Sequence, residues 1–395
     1  MKIISINVHY QDKLGYQDYY LGREMQKMGH EVHFISSDRH FDYPDYERTV
    51  EHIIGPKYIG IGTFINDYNV PIYRLGINEI IKKLTSRIWL KNFKNTLFEL
   101  QPDFIISHGI ITFQSIRLAY WAKQLNCPIV YDDHTTSNLI RNDKKSVFIF
   151  WLFRILFSKK ITQSADRLVG ISETCIEVMD KYFGIAGEKV QMIPLGTDIN
   201  IFKKDDQLRE TYRTKILDVH DENSIVVLYT GKIYEDKSVH LIMEALNDET
   251  VNQGKNILIH IVGDVSEKYQ QIFQEAIKNS KYPVIYKKAL PVNELPAVYN
   301  AADISVWPNH TTTSTIDASA CGSPIICSHF MPERVKYDNG FLVKGGDLQD
   351  LKIALKKLIE DKVLRQKMSE NGILYVNNEL SWNAIANKFL KQNDT

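Results

Sequence analysis

Short apolar segments recur along this chain and constrain its fold most strongly. Lys2–Val8 is the first, a continuous apolar run without alternation, which is typical of a strand buried in a parallel sheet. A helical pattern over Tyr19–Met28 and a second apolar segment at Val32–Ser36 follow it. After a turn at Pro194–Gly196, the series starts again at Ser224–Tyr229. This alternation predicts two doubly wound α/β units. The other predicted strands are Pro102–His108, Pro128–His134, Asp166–Ser172, Leu258–Asp264, Ile304–Trp307 and Pro324–Cys327.

Length and charge narrow the class of protein. The 395 residues exceed what one core usually contains, so two domains are expected. Lys plus Arg and Asp plus Glu both number 48, which disfavours a nucleic-acid binder with a basic field. The four cysteines form no C-x-x-C pair, and we expect reduced cytosolic thiols. No signal peptide precedes the first strand, so we expect a cytoplasmic protein, soluble or peripheral on the inner face of the membrane.

The stretch Ile304–Ser328 combines a short strand, a hydroxyl-rich loop and the start of a small-residue helix. Backbone N–H groups and the positive end of a helix dipole meet at such a junction and attract anions. Asp317, one turn inside the helix, is placed to accept hydrogen bonds from the vicinal hydroxyls of a ribose. Phosphate and ribose together indicate a nucleotide. From these residues alone, an ordinary strand-turn-helix capped by threonines is an equally good interpretation.

Two segments combine basic and apolar residues. Residues 78–100 read as a helix with Ile81, Leu84 and Ile88 on one side and lysines and arginines on the rest. Residues 144–160 contain the apolar run Val147–Phe157, which is too short to span a bilayer and has lysines on both sides. Both patterns are typical of contact with an anionic membrane surface, and equally of surface helices with a solvated face.

The residues around Asp317 resemble a known motif. Asn309 and Asp317 stand eight residues apart, and Ala318–Pro324 reads ASACGSP. This resembles the nucleotide-sugar motif of the retaining GT-B glycosyltransferases, glycosyltransferase family 4 (glycosyl transferases group 1). That motif has two glutamates at this spacing, so Asn309 and Asp317 replace both of them. The loop glycine of the family falls near Thr312.

Other motifs of the family occur in the same order. Gly231–Ser238 (GKIYEDKS) resembles a G-R-x-x-x-x-K-G loop whose two basic residues hold the donor diphosphate. Pro102–His108 (PDFIISH) resembles P-D-x-x-x-x-H, in which the histidine reaches the donor sugar. Val190–Phe202 resembles the interdomain linker I-P-x-G-x-D-x-x-x-F, and Ala289–Asp303 resembles an E-L-x-x-x-Y-x-x-A-D helix. The resemblance covers nearly the whole chain.

The resemblance implies a GT-B fold, with two Rossmann-like domains that face a cleft. The implied domains are residues 1–197 for the acceptor, residues 198–378 for the donor, and a helix over 379–395 that crosses back to the first domain. The implied reaction is metal-independent transfer of a hexose-type sugar, with retention, from a nucleotide-diphosphate donor to a glycan or lipid-linked acceptor. No D-x-D occurs in the sequence, and no cofactor is expected.

Two alternative functions remain open. One is a GT-B nucleotide-sugar epimerase, and the other is a non-catalytic nucleotide-sugar binding module, because Asn309 replaces a glutamate.

The candidate site residues follow from the positions that match the family motifs. The candidate catalytic residues are His108, Asn309 and Asp317; the candidate donor-binding residues are Gly15, Lys232, Lys237, Leu290, Thr312, Thr313, Ser314 and Thr315; and the candidate acceptor-binding residues are Tyr16, Gln17 and His134.

Overall fold

The chain divides into two compact units of α/β structure. The first unit comprises Met1–Leu195 with the segment from Ile385 onwards, and the second comprises Gly196–Ala384. The structure is a computed structural model that describes residues 1–13, 16–43, 46–85, 87–137, 140, 143–221, 223–252, 254–310 and 312–391.

The first unit is built on one sheet, in which the described residues form eight strands in the order β3-β4-β2-β1-β5-β6-β7-β8. All neighbouring strands are parallel except β3, which pairs antiparallel with β4 at the edge. The order reverses between β1 and β5, so the carboxyl ends of these two strands lie side by side. The strands are β1 (Lys2–Ile6), β2 (Glu31–Ser37), β3 (Gly62–Ile65), β4 (Pro71–Leu75), β5 (Phe104–His108), β6 (Ile129–Asp133), β7 (Arg167–Gly170) and β8 (Val190–Met192).

The second unit has a sheet that is parallel throughout. Its described strands follow the order β11-β10-β9-β12-β13-β14, which reverses between β9 and β12. The prediction of two doubly wound units is confirmed. The strands are β9 (Ile225–Thr230), β10 (Ile257–Val262), β11 (Val284–Lys287), β12 (Ile304–Trp307), β13 (Ile325–Ser328) and β14 (Gly340–Val343).

Helices connect the strands in both units. In the first unit they are α1 (Gln17–Lys27), α2 (Tyr46–Thr49), α3 (Glu51–Ile54), α4 (Glu79–Thr85), α5 (Phe93–Leu100), α6 (Phe113–Leu125), α7 (Lys144–Phe153), α8 (Lys159–Ser164) and α9 (Glu173–Val178). They continue with α10 (Asp206–Lys215), α11 (His240–Leu246), α12 (Glu249–Asn252), α13 (Gln270–Lys278), α14 (Leu295–Ala301), α15 (Ser314–Ala320), α16 (Leu348–Glu360), α17 (Lys362–Tyr375) and α18 (Trp382–Leu390).

The last helix, α18, begins in the second unit and continues into the first. Within the first unit, the guanidinium of Arg167 donates to the backbone carbonyl oxygen of Lys388 over 2.8 Å and to that of Phe389. Phe389 is fully buried. The second half of α18 is therefore a structural part of the first unit.

The single helix predicted over residues 78–100 is wrong, because α4 and α5 are separate. Between them, Leu90 forms an antiparallel bridge with Ile77 and is fully buried. Asn92, with φ at +54°, directly precedes α5. The predicted apolar stripe is also wrong, because its members do not share one buried face: Leu84 is 72% exposed, whereas Ile88 is 7% exposed. Burial of Ile88 and Leu90 in the core thus outweighs the helical periodicity.

A membrane-spanning helix was not predicted from the sequence. Among the residues that the structure describes, no helix has both the length and the apolar character to cross a membrane.

Candidate functional site

Two glycine turns shape the carboxyl edge of the sheet in the second unit. Gly231 follows β9 with φ at +128°, and Gly263 follows β10 with φ at +155°. A Cβ atom on Gly263 would lie 1.8 Å from the carbonyl oxygen of Gly231, which no side chain could tolerate. The two turns touch through their backbones, and this contact leaves the loop after Gly231 close to the sheet edge.

The loop after Gly231 carries the two predicted diphosphate-binding lysines. The ammonium of Lys237 donates to the carbonyl oxygen of His310 over 3.1 Å. Burial lowers the pKa of Lys237, Asp236 opposes this effect, and the neighbouring charge of Lys232 lowers the pKa further. Lys232 is exposed. Two neighbouring ammonium groups repel each other, and a bound anion such as phosphate would relieve this repulsion.

Asn309 lies between this loop and the turn after β14. Its amide nitrogen donates to the hydroxyl of Ser238 over 3.4 Å. Its side chain also lies against Gly345 and Gly346, because a Cβ on Gly345 would come within 2.7 Å of Asn309 Oδ1. Ser238 adopts φ of +53°, at the position where the family motif has glycine. The structure therefore brings Asn309 and the lysine loop together.

The predicted donor-binding hydroxyls lie next to the same turns. A Cβ on Gly231 would be 3.5 Å from Cγ2 of Thr312. Thr313 is exposed and Ser314 is partly exposed, whereas Thr315 is fully buried and donates its hydroxyl proton to the carbonyl oxygen of Thr312 over 2.9 Å. Thr312, Thr313 and Ser314 thus have accessible surface at the start of α15, while Thr315 stabilises the turn.

Asp317 contacts the segment that precedes α10. The hydroxyl of Thr197 donates to Asp317 Oδ1 over 2.5 Å. Burial raises the pKa of Asp317 to about 7, even though the Thr197 hydrogen bond and the charge of Arg334 lower it. The carboxyl group is thus partly protonated at neutral pH, and one of its oxygens is already engaged. This contact was not predicted, since the sequence interpretation placed ribose hydroxyls there.

Leu290 stands further along the sheet edge. It follows β11, the edge strand, which is separated from β9 by β10, and it is partly buried. Its contact with a nucleotide base stays a prediction.

The first unit gathers a second cluster at the β1/β5 reversal. His108 ends β5 and pairs in register with Asp132 of β6. His108 Nδ1 is 2.9 Å from Asp132 Oδ1, and His108 Nε2 lies 3.0 Å from the hydroxyl oxygen of Ser5. His134 Nε2 is 3.2 Å from Asp132 Oδ2, and the amide of Gln17 donates to that oxygen over 3.0 Å. The structure therefore brings His108, His134 and Gln17 together around one carboxylate.

Electrostatic interactions between neighbouring side chains set the direction of the pKa shifts in this cluster. Burial alone would raise the pKa of Asp132, but His108 and His134 outweigh it and hold that pKa below its usual range. Burial would lower the pKa of His108, but the Asp132 carboxylate reverses the effect and raises it. Since the carboxylate faces Nδ1, this nitrogen carries the proton, and His108 is held in one orientation.

The remaining acceptor candidates lie beside this cluster. Tyr16 is 43% exposed, and its hydroxyl oxygen is 2.8 Å from that of Tyr43. Gly15, predicted to bind the donor, lies outside the described residues. Gln17 is buried, and its Oε1 has no hydrogen-bond partner in the described part of the chain.

His108, Asp132 and His134 can also hold a metal ion. One ligand atom from each of them lies within 4.8 Å of the others, and two imidazoles with a carboxylate form a donor set that suits zinc. The same atoms are, however, already paired with each other through hydrogen bonds. Metal-independent chemistry stays a prediction.

Two family models match the chain almost end to end. The model described as "Glycosyltransferase Family 4" matches residues 19–201, and the model described as "Glycosyl transferases group 1" matches residues 213–374. The chain belongs to glycosyltransferase family 4.

Relatives and solved structures support this assignment. The capsular polysaccharide biosynthesis glycosyltransferase CapM of Staphylococcus aureus is 23% identical over 389 residues, with 94% of this chain and 93% of that protein covered. An uncharacterized glycosyltransferase of Methanocaldococcus jannaschii is 21% identical, with 90% and 91% covered. The structure of Anabaena HepE in complex with UDP superposes with a TM-score of 0.68 at 16% identity, with 98% of each chain covered. The fold is therefore GT-B, as the resemblance implied.

Sequence reasoning missed some residues of the candidate site. Asp132 lies in the centre of the cluster around His108, and its only signal in the sequence is the acidic pair Asp132 and Asp133 at the end of a buried strand. Asp133 instead accepts the backbone N–H of Ile110 over 2.8 Å. Tyr299, whose hydroxyl is 3.1 Å from that of Thr230, lies in the E-L-x-x-x-Y motif but was not singled out.

We expect Asp132→Asn to lower the pKa of His108, because the amide keeps the shape of the carboxylate without its charge and burial then dominates. A raised folded-state pKa means that protonated His108 stabilises the first unit below about pH 6.5, and that this contribution is lost as the pH rises through the folded value. The lowered pKa of Asp132 means that its contribution is lost as the pH falls. Histidine NMR titration in EDTA-containing buffer, with His108→Gln for assignment, measures the pKa.

The control for this titration is Asp67→Asn, which removes a different carboxylate of the same unit, the acceptor of the Tyr19 hydroxyl. It should leave the pKa of His108 in place. An unchanged His108 pKa in Asp132→Asn would contradict the proposed coupling.

Proposed function

We propose that this glycosyltransferase moves a hexose-type sugar from a nucleotide-diphosphate donor to a glycan or lipid-linked acceptor, with retention and without a metal. The observation that carries the donor part is the convergence of Lys232, Lys237, Asn309 and Thr312 on the Gly231 turn. Such a set of cations and polar groups at the reversal point of a parallel sheet suits a diphosphate. HepE, which shares the fold, binds UDP and UDP-glucose. UDP is therefore the first nucleotide to test.

Each part of the donor (diphosphate, sugar, ribose and base) is assigned to particular residues of the second unit. Lys237 is the principal cation for the diphosphate, and Lys232 is the second. Asn309 meets the hydroxyls of the transferred sugar, and its amide can donate as well as accept hydrogen bonds, unlike an ionised glutamate. Asp317 faces the ribose with the oxygen that Thr197 leaves available. Leu290 contacts the base.

The acceptor part of the proposal concerns the first unit. Gln17 offers a buried oxygen without a partner in the described part of the chain, which suits the hydroxyl group of a sugar. His108, His134 and Tyr16 lie at the same sheet edge. CapM acts in capsular polysaccharide biosynthesis, and this supports a glycan or a lipid-linked glycan as the acceptor.

The proposed mechanism needs no enzymic nucleophile. Attack from the front face of the sugar, with the leaving diphosphate helping to take the acceptor proton, retains the anomeric configuration. The carboxamide of Asn309 is a poor nucleophile, and burial raises the pKa of Asp317 to about 7, so neither residue is well suited to act as a nucleophile. The lysines stabilise the charge that develops on the departing diphosphate.

Lys237→Ala tests the donor site. Loss of a charge-assisted contact should cost about 1.5–3 kcal/mol of UDP binding, roughly a 10- to 150-fold rise in Kd. Isothermal titration calorimetry with UDP, GDP and dTDP measures the affinity and identifies the base. The matched control is Lys278→Ala, an exposed lysine of the same unit on α13, which should bind as the wild type does. Equal affinity in both variants would remove Lys237 from the site.

Chelation tests the metal-free part of the proposal. We expect transfer activity to survive EDTA, because the proposed donor site neutralises the diphosphate with lysines instead of a divalent cation. An assay of sugar transfer with and without EDTA decides this, and NMR of the product gives the anomeric configuration. Activity that disappears on chelation and returns with magnesium or manganese would contradict the proposal, and return with zinc alone would point to His108, Asp132 and His134.

His108→Ala tests the catalytic part. We expect nucleotide affinity to stay near the wild-type value, since the diphosphate and ribose contacts lie elsewhere, while kcat falls by about two orders of magnitude or more. Steady-state kinetics with a matched donor and acceptor, beside UDP calorimetry, separate the two effects. His220→Ala, an exposed histidine of the second unit, is the control.

Two outcomes would change the proposal. Transfer by His108→Ala at the wild-type rate would make His108 structural. Conversion of the donor sugar into an isomer without any acceptor would instead identify an epimerase.

A further inference from the structure

The helical stretch from residue 144 to residue 164 is apolar on two opposite faces. It comprises α7, a π-helical turn over Arg154–Ser158, and α8. One face packs into the core of the first unit, where Phe153 is 3% exposed and Ile161 is fully buried. The ring centroids of Phe153 and Phe183 are 6.0 Å apart. This inner face accounts for only part of the apolar surface of the helix.

The opposite face exposes a stripe of large apolar side chains. Its members recur every four residues in two adjacent rows, so they share one side of the helix. The stripe covers ten residues, roughly 15 Å of helix length. Phe148 and Trp151 stack on each other within it, with ring centroids 5.7 Å apart. We call it the outer stripe; its members are Val147 (52% exposed), Phe148 (57%), Trp151 (54%), Leu152 (37%), Ile155 (58%) and Leu156 (52%).

Basic residues flank the outer stripe in the sequence, and several of them are exposed in the structure. No aspartate or glutamate occurs from residue 144 to residue 160, whereas Lys144, Lys145, Arg154, Lys159 and Lys160 do. Arg154 and Lys159 are exposed, and Lys160 is partly exposed. The guanidinium of Arg154 lies within 3.5 Å of the carbonyl oxygen of Lys181, another exposed lysine on the neighbouring π-helical turn. Asp143 at the start of α7 and Asp180 on the turn of Lys181 are acidic, but the basic residues outnumber them, so the charge around the stripe is positive on balance.

We propose that the outer stripe docks onto an anionic membrane surface. Trp, Phe and aliphatic side chains on the exposed side of a helix enter the boundary between headgroups and acyl chains, and the lysines beside them attract anionic lipids. Such docking uses both the apolar side chains of the stripe and the positive charge of the lysines. The proposal concerns where the enzyme works and does not depend on the identity of the donor.

The charge pattern decides against a second copy of this chain as the occupant. In a twofold dimer the same patch meets itself, so the basic residues of both copies would face each other. Lysine is also depleted in the cores of protein interfaces. An anionic lipid surface attracts the basic residues beside the stripe, whereas a second copy of the chain would repel them.

Vesicle sedimentation with the full chain tests the proposal. We expect binding to phosphatidylcholine vesicles that contain about one third phosphatidylglycerol, weaker binding to pure phosphatidylcholine, and weakening by salt. Phe148→Gln combined with Trp151→Gln should lower the partition coefficient at least about tenfold. Lys159→Gln combined with Lys160→Gln should lower it by about fivefold for each charge removed.

The matched control replaces two exposed apolar side chains on another helix. Val363 and Leu374 of α17 are 78% and 58% exposed, and Val363→Gln with Leu374→Gln should leave vesicle binding unchanged. Brominated lipids add a direct readout. They should quench the fluorescence of Trp151 in the wild type, and Trp151→Phe should bind but lose the quenched component.

Three results would overturn the proposal. The first is equal binding of the wild type to neutral and anionic vesicles. The second is unchanged binding by the Phe148→Gln and Trp151→Gln variant when its thermal stability matches that of the wild type. The third is a dimer by light scattering that this variant dissociates, without vesicle binding by the wild type, which would assign the stripe to a second copy.

Discussion

The reversal of strand order within each sheet is the constraint on which the candidate sites depend. Where β1 meets β5, and where β9 meets β12, consecutive connections leave in opposite directions and open a crevice beyond the strand ends. Side chains that follow these strands are brought together although they are far apart in the sequence, as Lys237 and His310 are. The backbone contact between Gly231 and Gly263 holds the loop after Gly231 close to the sheet edge, where Lys237 contacts His310. Without the reversal, the lysines would be ordinary surface charges.

The two clusters handle charge in opposite ways. Around Asp132, the negative carboxylate lies next to two imidazoles and an amide, and these contacts fix the orientation of the side chains in the cluster. Around Lys237, two cations are close together and burial lowers the pKa of one of them, so the cluster gains stability when an anion binds. The first arrangement suits a residue that must be presented in one tautomer. The second suits a ligand that arrives with its own negative charge.

Sequence reasoning worked where a feature is local and failed where it depends on contacts across the chain. The strands were predictable because each is a continuous apolar run, and the fold followed from their repetition. The helix over residues 78–100 was not, because burial of Leu90 beside Ile77 is a tertiary effect that periodicity does not contain. Asp132 and Asp133 are adjacent and chemically identical, so only the pairing of β5 with β6 shows which of them faces His108. The hydrogen bond between Thr197 and Asp317 joins residues 120 positions apart and leaves no sequence signal.

The departures from the family motif are coupled in the structure. Where the motif has a glycine, Ser238 adopts a left-handed conformation, which costs about 1–2 kcal/mol for a residue with a Cβ atom. Its hydroxyl oxygen accepts the amide proton of Asn309, which stands where the motif has glutamate. A glutamate at position 309 has no proton to donate when ionised, so it could not make this bond in the same way. Asn309 and Ser238 are therefore joined by a hydrogen bond that the motif residues could not form in this way, and Asn309 in place of glutamate removes one negative charge near Lys237. The surroundings of Lys237 are consequently more positive than the motif itself would make them.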